Sequence, residues 1–407
     1  MRINALIVVL LTGLVAATFG FGIYLFSQLV PDMRASLGFD ISYVGSITAA
    51  GQFGYLISAL LAAWLTARVG GGWVILGSGA VCAVALLWLS QAHSVLLIGA
   101  LLTILAGTAA SVFVPMVDVI ARSVAFRYRG MAMGLVSSGT SYGVFINSLL
   151  VPMYAPQGEW RSVWWIVGLI TMLLAVAVVL VFKKARLFVC PSDATTTNEP
   201  TQRIGISALM QPWVLTVWTM TFLLGFSTFP FQNYLSSYLR TELNFDVAYT
   251  AQIWASIGFV GMFAGLAVGW LSDRIGLRVT MMLVYICVAL AALILVVHPA
   301  GYWPLVAGVL FSVAFYPIFG LIPAYVSKMA SNAALAVTLF GVANIMQGVG
   351  GMMGNFCGGW LASANGSFVS VYVAIGVVAV VLALLTLRLP GEERAVQKRE
   401  STAVAGS

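Results

Sequence analysis

Charged residues are scarce in this chain of 407 residues. Asp, Glu, Lys and Arg together make up 8% of it, while hydrophobic residues make up 61%. A soluble domain usually contains about 25% charged residues and about 45–50% apolar ones. This balance excludes an ordinary water-soluble domain and predicts a protein that lies in the lipid bilayer.

Cysteine and histidine are also scarce. The 4 cysteines occur singly, at positions 82, 190, 287 and 357, and there are 2 histidines. No pair has the spacing of a metal site, and nothing indicates a disulfide framework. The sequence also has no nucleophile beside a base and no phosphate-binding loop. We therefore expect no metal, no cofactor and no enzymatic activity.

Long hydrophobic runs fill most of the chain instead. A helix needs about 20 apolar residues to cross a bilayer, and it satisfies its backbone hydrogen bonds within the segment. We therefore predict an all-α polytopic membrane protein with twelve transmembrane helices. The predicted segments are 4–30, 43–66, 73–91, 95–121, 130–154, 162–182, 209–238, 247–271, 279–298, 302–326, 333–362 and 367–389.

The basic residues are distributed unevenly between the loops. With twelve spans and both termini in the cytoplasm, 16 of the 19 basic residues face the cytoplasm, and Arg34, Arg161 and Arg240 face outside. Cytoplasmic loops of membrane proteins carry such an excess of Lys and Arg. The net charge of +7 therefore reports orientation in the membrane, and we expect no nucleic-acid partner.

A polar stretch rich in turn-forming residues divides the chain into two halves. We predict an N-terminal six-helix bundle over 1–182, a cytoplasmic linker over 183–206 and a C-terminal six-helix bundle over 207–390. The last part, 391–407, has mixed charges and no periodicity, so we expect a disordered cytoplasmic tail.

The two halves share a repeated phrase. Trp64-Leu65-Thr66-Ala67-Arg68-Val69-Gly70 ends one apolar run, and Trp270-Leu271-Ser272-Asp273-Arg274-Ile275-Gly276 ends another, 206 positions later. Duplicated membrane bundles are typical of secondary transporters, in which the halves move about a central site. The repeat therefore indicates transport more strongly than any single residue does.

The second copy resembles the signature of the major facilitator superfamily, which joins the second and third helices of each half. That signature is roughly G-x-L-x-D-R-x-G-x-R, and residues 269–278 match it well. The first copy has Ala67 in place of the Asp and Gly72 in place of the second Arg. The resemblance implies two pseudo-symmetric six-helix bundles. It also implies a secondary transporter of the bacterial inner membrane that works by alternating access. A design of two halves in one chain needs no partner, so we expect a monomer.

The signature and the internal duplication together predict charged gating residues near the cytoplasmic helix ends. The expected set is Arg68, Asp118, Arg122, Asp273, Arg274, Arg278 and Lys328. Lys328 lies 206 positions after Arg122, so both halves place a cation at the inner end of the equivalent helix. We expect Lys328 to pair with Asp273 as a cytoplasmic latch.

Asp118 is the only acidic residue that we place inside an apolar run; the others are assigned to loops, the linker or the tail. It precedes Arg122 by four residues, the spacing of an acid–base pair on one helix face. We expect Asp118 to act as the counter-ion of Arg122, in place of the acid missing at Ala67. Two alternatives are that Asp118 carries a coupled proton in a symport cycle and that Arg122 binds an anionic substrate.

By the same resemblance, the first, fourth, seventh and tenth segments line a central cavity, and amides of the fifth and eleventh segments add hydrogen-bonding groups. The candidate substrate-binding residues are Tyr24, Gln28, Phe113, Asn147, Phe231, Gln232, Asn233, Tyr234, Tyr316, Asn344 and Gln347. Aromatic rings with a few neutral amides favour a small, weakly charged organic solute, with organic acids among the candidates. Buried amides also join helices in lipid, so packing is the alternative role for each of them.

Two other functions fit the same sequence. Within transport, the alternative is an exporter of amphipathic compounds. Outside transport, the alternative is a receptor or a lipid scramblase on the same fold. Solute flux through reconstituted protein distinguishes transport from the second class.

Helix packing and bending also leave marks in the sequence. Glycines recur at four-residue spacing in the eighth segment (261, 265 and 269) and in the eleventh (350, 354 and 358). Such spacing lets helix backbones approach closely in lipid. Prolines at 115, 230 and 317 are expected to break the hydrogen-bond ladder of their helices.

Neutralising Asp273 tests the expected latch. The variant Asp273→Asn removes one charge of the expected pair with Lys328. By analogy with the superfamily that the signature resembles, we expect the resting population to shift away from the outward-open form. Modification rates of engineered cysteines on both membrane faces measure that shift. Unchanged rates on both faces would count against the latch.

Overall fold

The computed structural model of the protein describes residues 2–125, 128–188, 209–330 and 333–391, without the side chains of 2, 130, 333, 334 and 337. Over these ranges the chain forms helices joined by short turns, and it forms no strand. The prediction of an all-α fold is confirmed. The predicted linker beyond position 188, the predicted tail beyond position 391 and Cys190 lie outside the described residues.

Ten helical segments in the described ranges are long and apolar enough to cross a membrane. They are Ile3–Leu37, Ile41–Val69, Gly71–Leu89, Val95–Ser123, Trp160–Lys184, Pro212–Glu242, Val247–Ile275, Leu277–Val297, Trp303–Met329 and Val369–Thr386. The fifth predicted segment forms two helices, Arg129–Ser137 and Gly139–Tyr154, and the eleventh forms Ala333–Asn365. The described chain is therefore consistent with twelve segments.

The first segment is longer than its apolar run suggests. It comprises an α-helix over Arg2–Val15, a π-helix over Ala16–Tyr24 and a second α-helix over Leu25–Leu37. The predicted segment ended at residue 30, one residue before Pro31. Pro31 nevertheless lies inside the second α-helix, and the charged residue after it has a partner that is described below.

Of the three prolines expected to break helices, only Pro115 interrupts one in the described structure. It separates Val95–Phe113 from Met116–Ser123 in the fourth segment. Pro230 and Pro317 lie within continuous helices. Each of these prolines lacks a backbone N–H and so removes one hydrogen bond from the ladder without ending its helix.

The two sequence halves repeat one packing scheme. In the first half the third segment packs against the fourth and the sixth, and in the second half the ninth packs against the tenth and the twelfth. These pairs are equivalent under a shift of six segments. The duplication read from one short phrase therefore extends to the contacts between whole helices.

The described chain divides into two compact units. The first contains segments one to six with Pro230–Met262 and Asn355–Phe368, and the second contains residues 209–229, Phe263–Gly354 and the residues from Val369 onward. Parts of the seventh, eighth and eleventh segments therefore pack with the first half of the sequence. The bundle boundaries predicted from the linker remain a prediction.

Exposure along the sixth segment, Trp160–Lys184, shows which face meets lipid. Leu173 and Leu180 are 70% and 66% exposed, whereas Val178 and Phe182 are fully buried. The buried face packs against apolar residues of the first and fourth segments. Large apolar side chains remain exposed because lipid is the solvent here, as the composition predicts.

Glycines allow two pairs of helices to approach closely. A Cβ atom on Gly143 of the fifth segment would lie 2.6 Å from Cα of Gly20 in the first. In the second unit, Cβ atoms on Gly350 and Gly354 would meet the backbone carbonyls of Phe222 and Phe226. Close packing is confirmed for these two glycines of the eleventh segment.

The eighth segment does not share this packing. A Cβ atom on Gly265 or Gly269 would have no atom within 4 Å. The prediction that the glycines of this segment mark a close helix contact is therefore wrong at these two positions, which face open space. Four-residue spacing allows a close approach but does not supply the neighbouring helix.

The variant Gly143→Ala tests the packing of the first segment against the fifth. The added methyl group has no space beside the backbone of the first segment, and overpacking of this kind costs about 1–3 kcal/mol. We expect a lower midpoint of thermal unfolding for the purified protein in detergent.

Gly134→Ala is the matched control, because nothing lies within 4 Å of its added methyl group in the same predicted segment. Alanine also favours helix over glycine, so this control should unfold at the same temperature or higher. Equal midpoints for the two variants would contradict the close approach.

Candidate functional site

The π-helix at Ala16–Tyr24 places an unusual carbonyl group in the middle of the first segment. The carbonyl oxygen of Gly20 accepts from the backbone N–H of Leu25, five residues on, and also from Nδ2 of Asn147 at 2.8 Å. π-helical turns are rare and often occur at functional sites. Tyr24, a predicted site residue, is buried at the end of this turn.

Two predicted amides meet at the fifth segment. Asn147 is fully buried, and its Oδ1 has no hydrogen-bond partner. Gln28 is also buried, its Nε2 makes a long 3.5 Å bond to the carbonyl oxygen of Val144, and its Oε1 has no partner. Because Val144 and Asn147 lie one turn apart, both open oxygens belong to the same stretch of the first and fifth segments.

A third predicted amide, Gln232 of the seventh segment, lies in the same compact unit. It is fully buried, and neither Nε2 nor Oε1 has a hydrogen-bond partner. A buried polar group without a partner costs about 1–3 kcal/mol. Such groups call for an explanation, and ligand binding is one that a membrane segment can supply.

The neighbouring amide belongs to a network that joins three segments. Oγ of Ser27 donates to Oδ1 of Asn233 at 2.7 Å, and Nδ2 of Asn233 donates to Oδ1 of Asn355 at 2.8 Å. The hydroxyl of Tyr234 donates to the backbone oxygen of Asn355 at 2.6 Å. Asn233 and Tyr234 were predicted to bind substrate, and here they bind protein groups. Their role in the site remains a prediction.

The other predicted aromatic and amide residues are more dispersed. Phe231 is fully buried, and the Phe113 ring lies edge-on to that of Phe19 with centroids 5.9 Å apart. In the second unit, Tyr316 contacts Phe315 edge-on, Asn344 is exposed, and Gln347 is buried with no partner for Nε2. Within the first unit, the structure thus groups Gln28 with Asn147 most directly.

A buried ion pair joins the first and seventh segments. Arg240 donates to both carboxylate oxygens of Asp32, at 2.5 and 2.7 Å. The Asp32 side chain is 8% exposed, compared with 32% for Asp118. The prediction that every acid except Asp118 lies in a loop, the linker or the tail is therefore wrong for Asp32, which lies within the helix Leu25–Leu37. Asp32 lies just after the apolar run predicted over 4–30.

The sequences of the turns that follow Asp32 and Arg240 repeat with the same offset of 206 residues. Residues 34–40 and 240–246 both read R-x-x-L-x-F-D. Gly38 and Asn244 occupy equivalent positions, and both have positive φ angles, 68° and 57°. This second repeat was available in the sequence and would have drawn attention to Arg240. We call the end of the helices that carries these turns the outer end, after its predicted orientation.

Two carboxylates complete the outer end. Asp40 accepts from the backbone N–H of Ser42 at 2.8 Å and from Oγ of Ser363 at 3.1 Å. The Ser42 N–H chiefly holds the pKa of the Asp40 carboxyl below its usual value, so this cap persists at neutral pH and is lost only in acid. Glu242 accepts from the backbone N–H of Phe368 at 2.6 Å.

The predicted gating arginines repeat their environment as well as their sequence. The guanidinium of Arg68 lies 4.2 Å from the ring centroid of Trp64, and that of Arg274 lies 4.0 Å from the ring centroid of Trp270. In each pair the Arg and the Trp lie one turn apart on the same helix and form a cation–π contact. Arg278 instead donates to the backbone oxygens of residues 386 and 387 at the end of the twelfth segment.

The ion pair predicted between Asp118 and Arg122 is present, with a distance of 2.8 Å between Oδ1 and Nε. A Cβ atom on Gly71 would lie 3.0 Å from Oδ2 of Asp118, so this carboxylate lies beside the loop that carries the first signature copy. Asp273 and Lys328 are both exposed. The gating roles of all these residues, and the pairing of Asp273 with Lys328, remain predictions.

These features match those of known proteins along nearly the whole chain. A family model described as Major Facilitator Superfamily matches residues 12–355. The chain belongs to the major facilitator superfamily. The chain is 24% identical over 384 residues to the probable sulfoacetate transporter SauU of Cupriavidus necator, which covers 89% of this chain and 88% of that protein. It is 26% identical over 167 residues to the uncharacterized transporter YgaY of Escherichia coli O157:H7, 38% of this chain and 39% of that one.

Solved structures of the superfamily share the fold. The nucleoside transporter NupG aligns with a TM-score of 0.73 and 15% identity, covering 96% of this chain and 99% of its own. A bacterial homolog of the lysosomal transporter Spinster, solved inward-facing and occupied, aligns with a TM-score of 0.74 and 14% identity over 98% of both chains. At these identities the likeness establishes the fold. The protein is a multi-pass membrane protein of a transporter family.

Neutralising Asp32 tests the outer ion pair. The variant Asp32→Asn leaves Arg240 mostly buried without its counter-charge, which costs about 3–5 kcal/mol in a buried pair. We expect the outer end to open more often. A cysteine at position 237, fully buried in the present structure and introduced into a cysteine-free background, should react at least about tenfold faster with a membrane-impermeant thiol reagent.

The double variant Asp32→Asn/Arg240→Gln removes both charges and should return the reaction rate toward that of the parent. Glu159→Gln, which neutralises an exposed carboxylate at a nearby turn, is the matched control and should leave it unchanged. If Asp32→Asn reacts no faster than Glu159→Gln, the ion pair does not hold the outer end closed.

Proposed function

We propose that this transporter moves a small, neutral or weakly charged organic solute across the bacterial inner membrane by alternating access. The observation that carries the proposal is the set of buried amides with open hydrogen-bonding atoms, Gln28, Asn147 and Gln232. Lipid offers no water to satisfy such atoms. A solute that passes through the segments can satisfy them during transport.

The contacts at the outer end support alternating access. Polar bonds, Asp32 to Arg240 and Ser27 to Asn233, link the first segment to the seventh. The second segment is linked to the eleventh by Asp40 and Ser363. Bonds of this kind can be exchanged for bonds to water when the outer end opens, so closure is reversible at moderate cost.

An organic acid is the second candidate solute, and the similarity to a sulfoacetate transporter favours it. An anion needs a cation at its binding site. Arg240 is already bound by Asp32, and Arg122 by Asp118. The geometry therefore supports a weakly charged solute better. Export of amphipathic compounds is a further alternative, and the direction of net flux distinguishes it.

The charged residues at the inner end fit gating better than proton transfer. Asp118 pairs with Arg122 beside the first signature loop, and both side chains are partly exposed. An acid that releases protons during transport needs to lose its counter-ion in one state. We therefore assign Asp118 to the gate. We also propose that both termini lie in the cytoplasm, because the loops on that side carry the excess of Lys and Arg. A monomer suffices for this mechanism.

Reconstitution tests the proposed function. Purified protein in liposomes should exchange a radiolabelled small organic solute in a counterflow assay, whereas empty liposomes should not. Gln232→Leu removes two open polar atoms and should lower the exchange at least about tenfold. Thr171→Val is the matched control, because its buried hydroxyl bonds only to Val167 of its own helix. Lipid mixing between leaflets without solute exchange would instead indicate a scramblase.

The variant Asp118→Asn separates gating from proton coupling. The ratio of solute concentrations inside and outside at steady state depends on coupling to the proton gradient. The rate at which that ratio is reached depends on the gate. We expect Asp118→Asn to change the initial rate and to keep the parent's accumulation ratio under an imposed pH gradient. Loss of uphill accumulation with intact counterflow would show that Asp118 carries the coupled proton.

A further inference from the structure

The orientation of the Asn147 amide is fixed by its partner. Its nitrogen Nδ2 donates to the backbone carbonyl of Gly20 at 2.8 Å. A backbone carbonyl can only accept a hydrogen bond, so the NH₂ group must face Gly20 and the oxygen Oδ1 must face away from it. The open atom of Asn147 is therefore the oxygen, a hydrogen-bond acceptor, because exchanging the amide O and N would place two acceptors against each other.

Gln28 is oriented in the same sense. Its Nε2 points to the carbonyl oxygen of Val144 at 3.5 Å, which leaves Oε1 as its open atom. Val144 and Asn147 share one turn of Gly139–Tyr154. The first and fifth segments therefore present two amide oxygens, both acceptors and both without a protein donor, around the end of the π-helix.

The buried ion pair in the same unit adds no net charge to it. In the same unit, the buried carboxylate of Asp32 is bound by Arg240, and Asn233 is occupied by Ser27 and Asn355. Gln232 has both amide atoms open, so it can rotate to act as donor or acceptor. A carboxylate or sulfonate would place its own acceptor oxygens against those of Gln28 and Asn147, which is unfavourable in a dry site.

We infer that the first and fifth segments bind a neutral portion of the solute that carries two neighbouring hydrogen-bond donors, hydroxyl or N–H groups. This inference rests on the proposed function and specifies its solute. It selects polyhydroxylated or amide-bearing solutes and rejects solutes that offer only anionic oxygens. Sulfoacetate, the solute in the name of one similar transporter, has no such donors, so this chain and that relative should differ in specificity.

Matched probes test the inference on the full-length protein in detergent and in liposomes. The panel contains neutral polyols, nucleosides and diamides, the O-methyl or N,N-dimethyl derivative of each, and carboxylates and sulfonates of similar size, including sulfoacetate. Binding is measured by ligand-induced thermal stabilisation and transport by counterflow. We expect at least one donor-bearing probe to bind and to be exchanged, and its methylated derivative to bind at least about tenfold more weakly.

The decisive readout is discrimination between the two members of a pair, because a structural defect weakens both equally. Asn147→Leu should bring the affinity ratio of donor-bearing to methylated probe close to one. Gln28→Leu should lower the same ratio, and Thr171→Val should keep it at the parent's value.

Exchange of anions alone, unaffected by Asn147→Leu, would overturn this inference and leave the transport proposal standing. A ratio that survives in Asn147→Leu would also overturn it. If no member of the panel binds to or is exchanged by folded protein, both the inference and the proposed function are overturned.

Discussion

The absence of water from the lipid core is the constraint on which the rest of this structure depends. A polar group in that region must find a partner within the protein or remain costly. Backbone groups meet this requirement as helices, and buried hydroxyls meet it within one turn, as Thr18 does with Leu14 and Thr171 with Val167. Asp32 and Arg240 meet it by pairing across two segments.

Buried polar groups without partners occur in both units, and three predicted site amides of the first unit are among them. Gln28, Asn147 and Gln232 are buried and keep open polar atoms, although smaller or apolar residues would pack there at no such cost. Stable proteins carry few such atoms, and each requires a reason. A solute bound during transport can supply the missing hydrogen-bond partners. The unpaired groups then lower the stability of the empty protein but strengthen binding of the solute.

Duplication organises the molecule, and its asymmetries show where function has specialised. Ser27 and Asn233 occupy equivalent positions 206 residues apart and bond to each other. Arg34 and Arg240 are also equivalent. Arg240 pairs with Asp32, whereas Tyr238 occupies the position equivalent to Asp32 in the second half. At the inner end the acid of the signature is present as Asp273 and absent at Ala67.

Much of the fold follows from the sequence, because hydrophobic length and charge bias determine helices in a membrane. The pair of Asp118 with Arg122 also followed, since four-residue spacing on one helix fixes the distance. Contacts between distant segments did not follow. Nothing local in the sequence indicates that Asp32 meets Arg240, or that Asn233 bonds to Ser27 instead of remaining open.

The glycines illustrate the same limit. Four-residue spacing correctly marked a close approach at Gly350 and Gly354, and wrongly marked one at Gly265 and Gly269. The spacing permits a contact, but the neighbour that makes it comes from the tertiary fold. Local rules therefore failed where a second segment had to be placed, which is also where the candidate site lies.

An experimental structure of the protein with its transported solute bound tests the central claim most directly. The account predicts a hydroxyl or N–H group of the solute about 3 Å from Oδ1 of Asn147, with the bond from Nδ2 to Gly20 retained. A solute bound elsewhere, with Oδ1 of Asn147 paired to a protein group in that state, would contradict it.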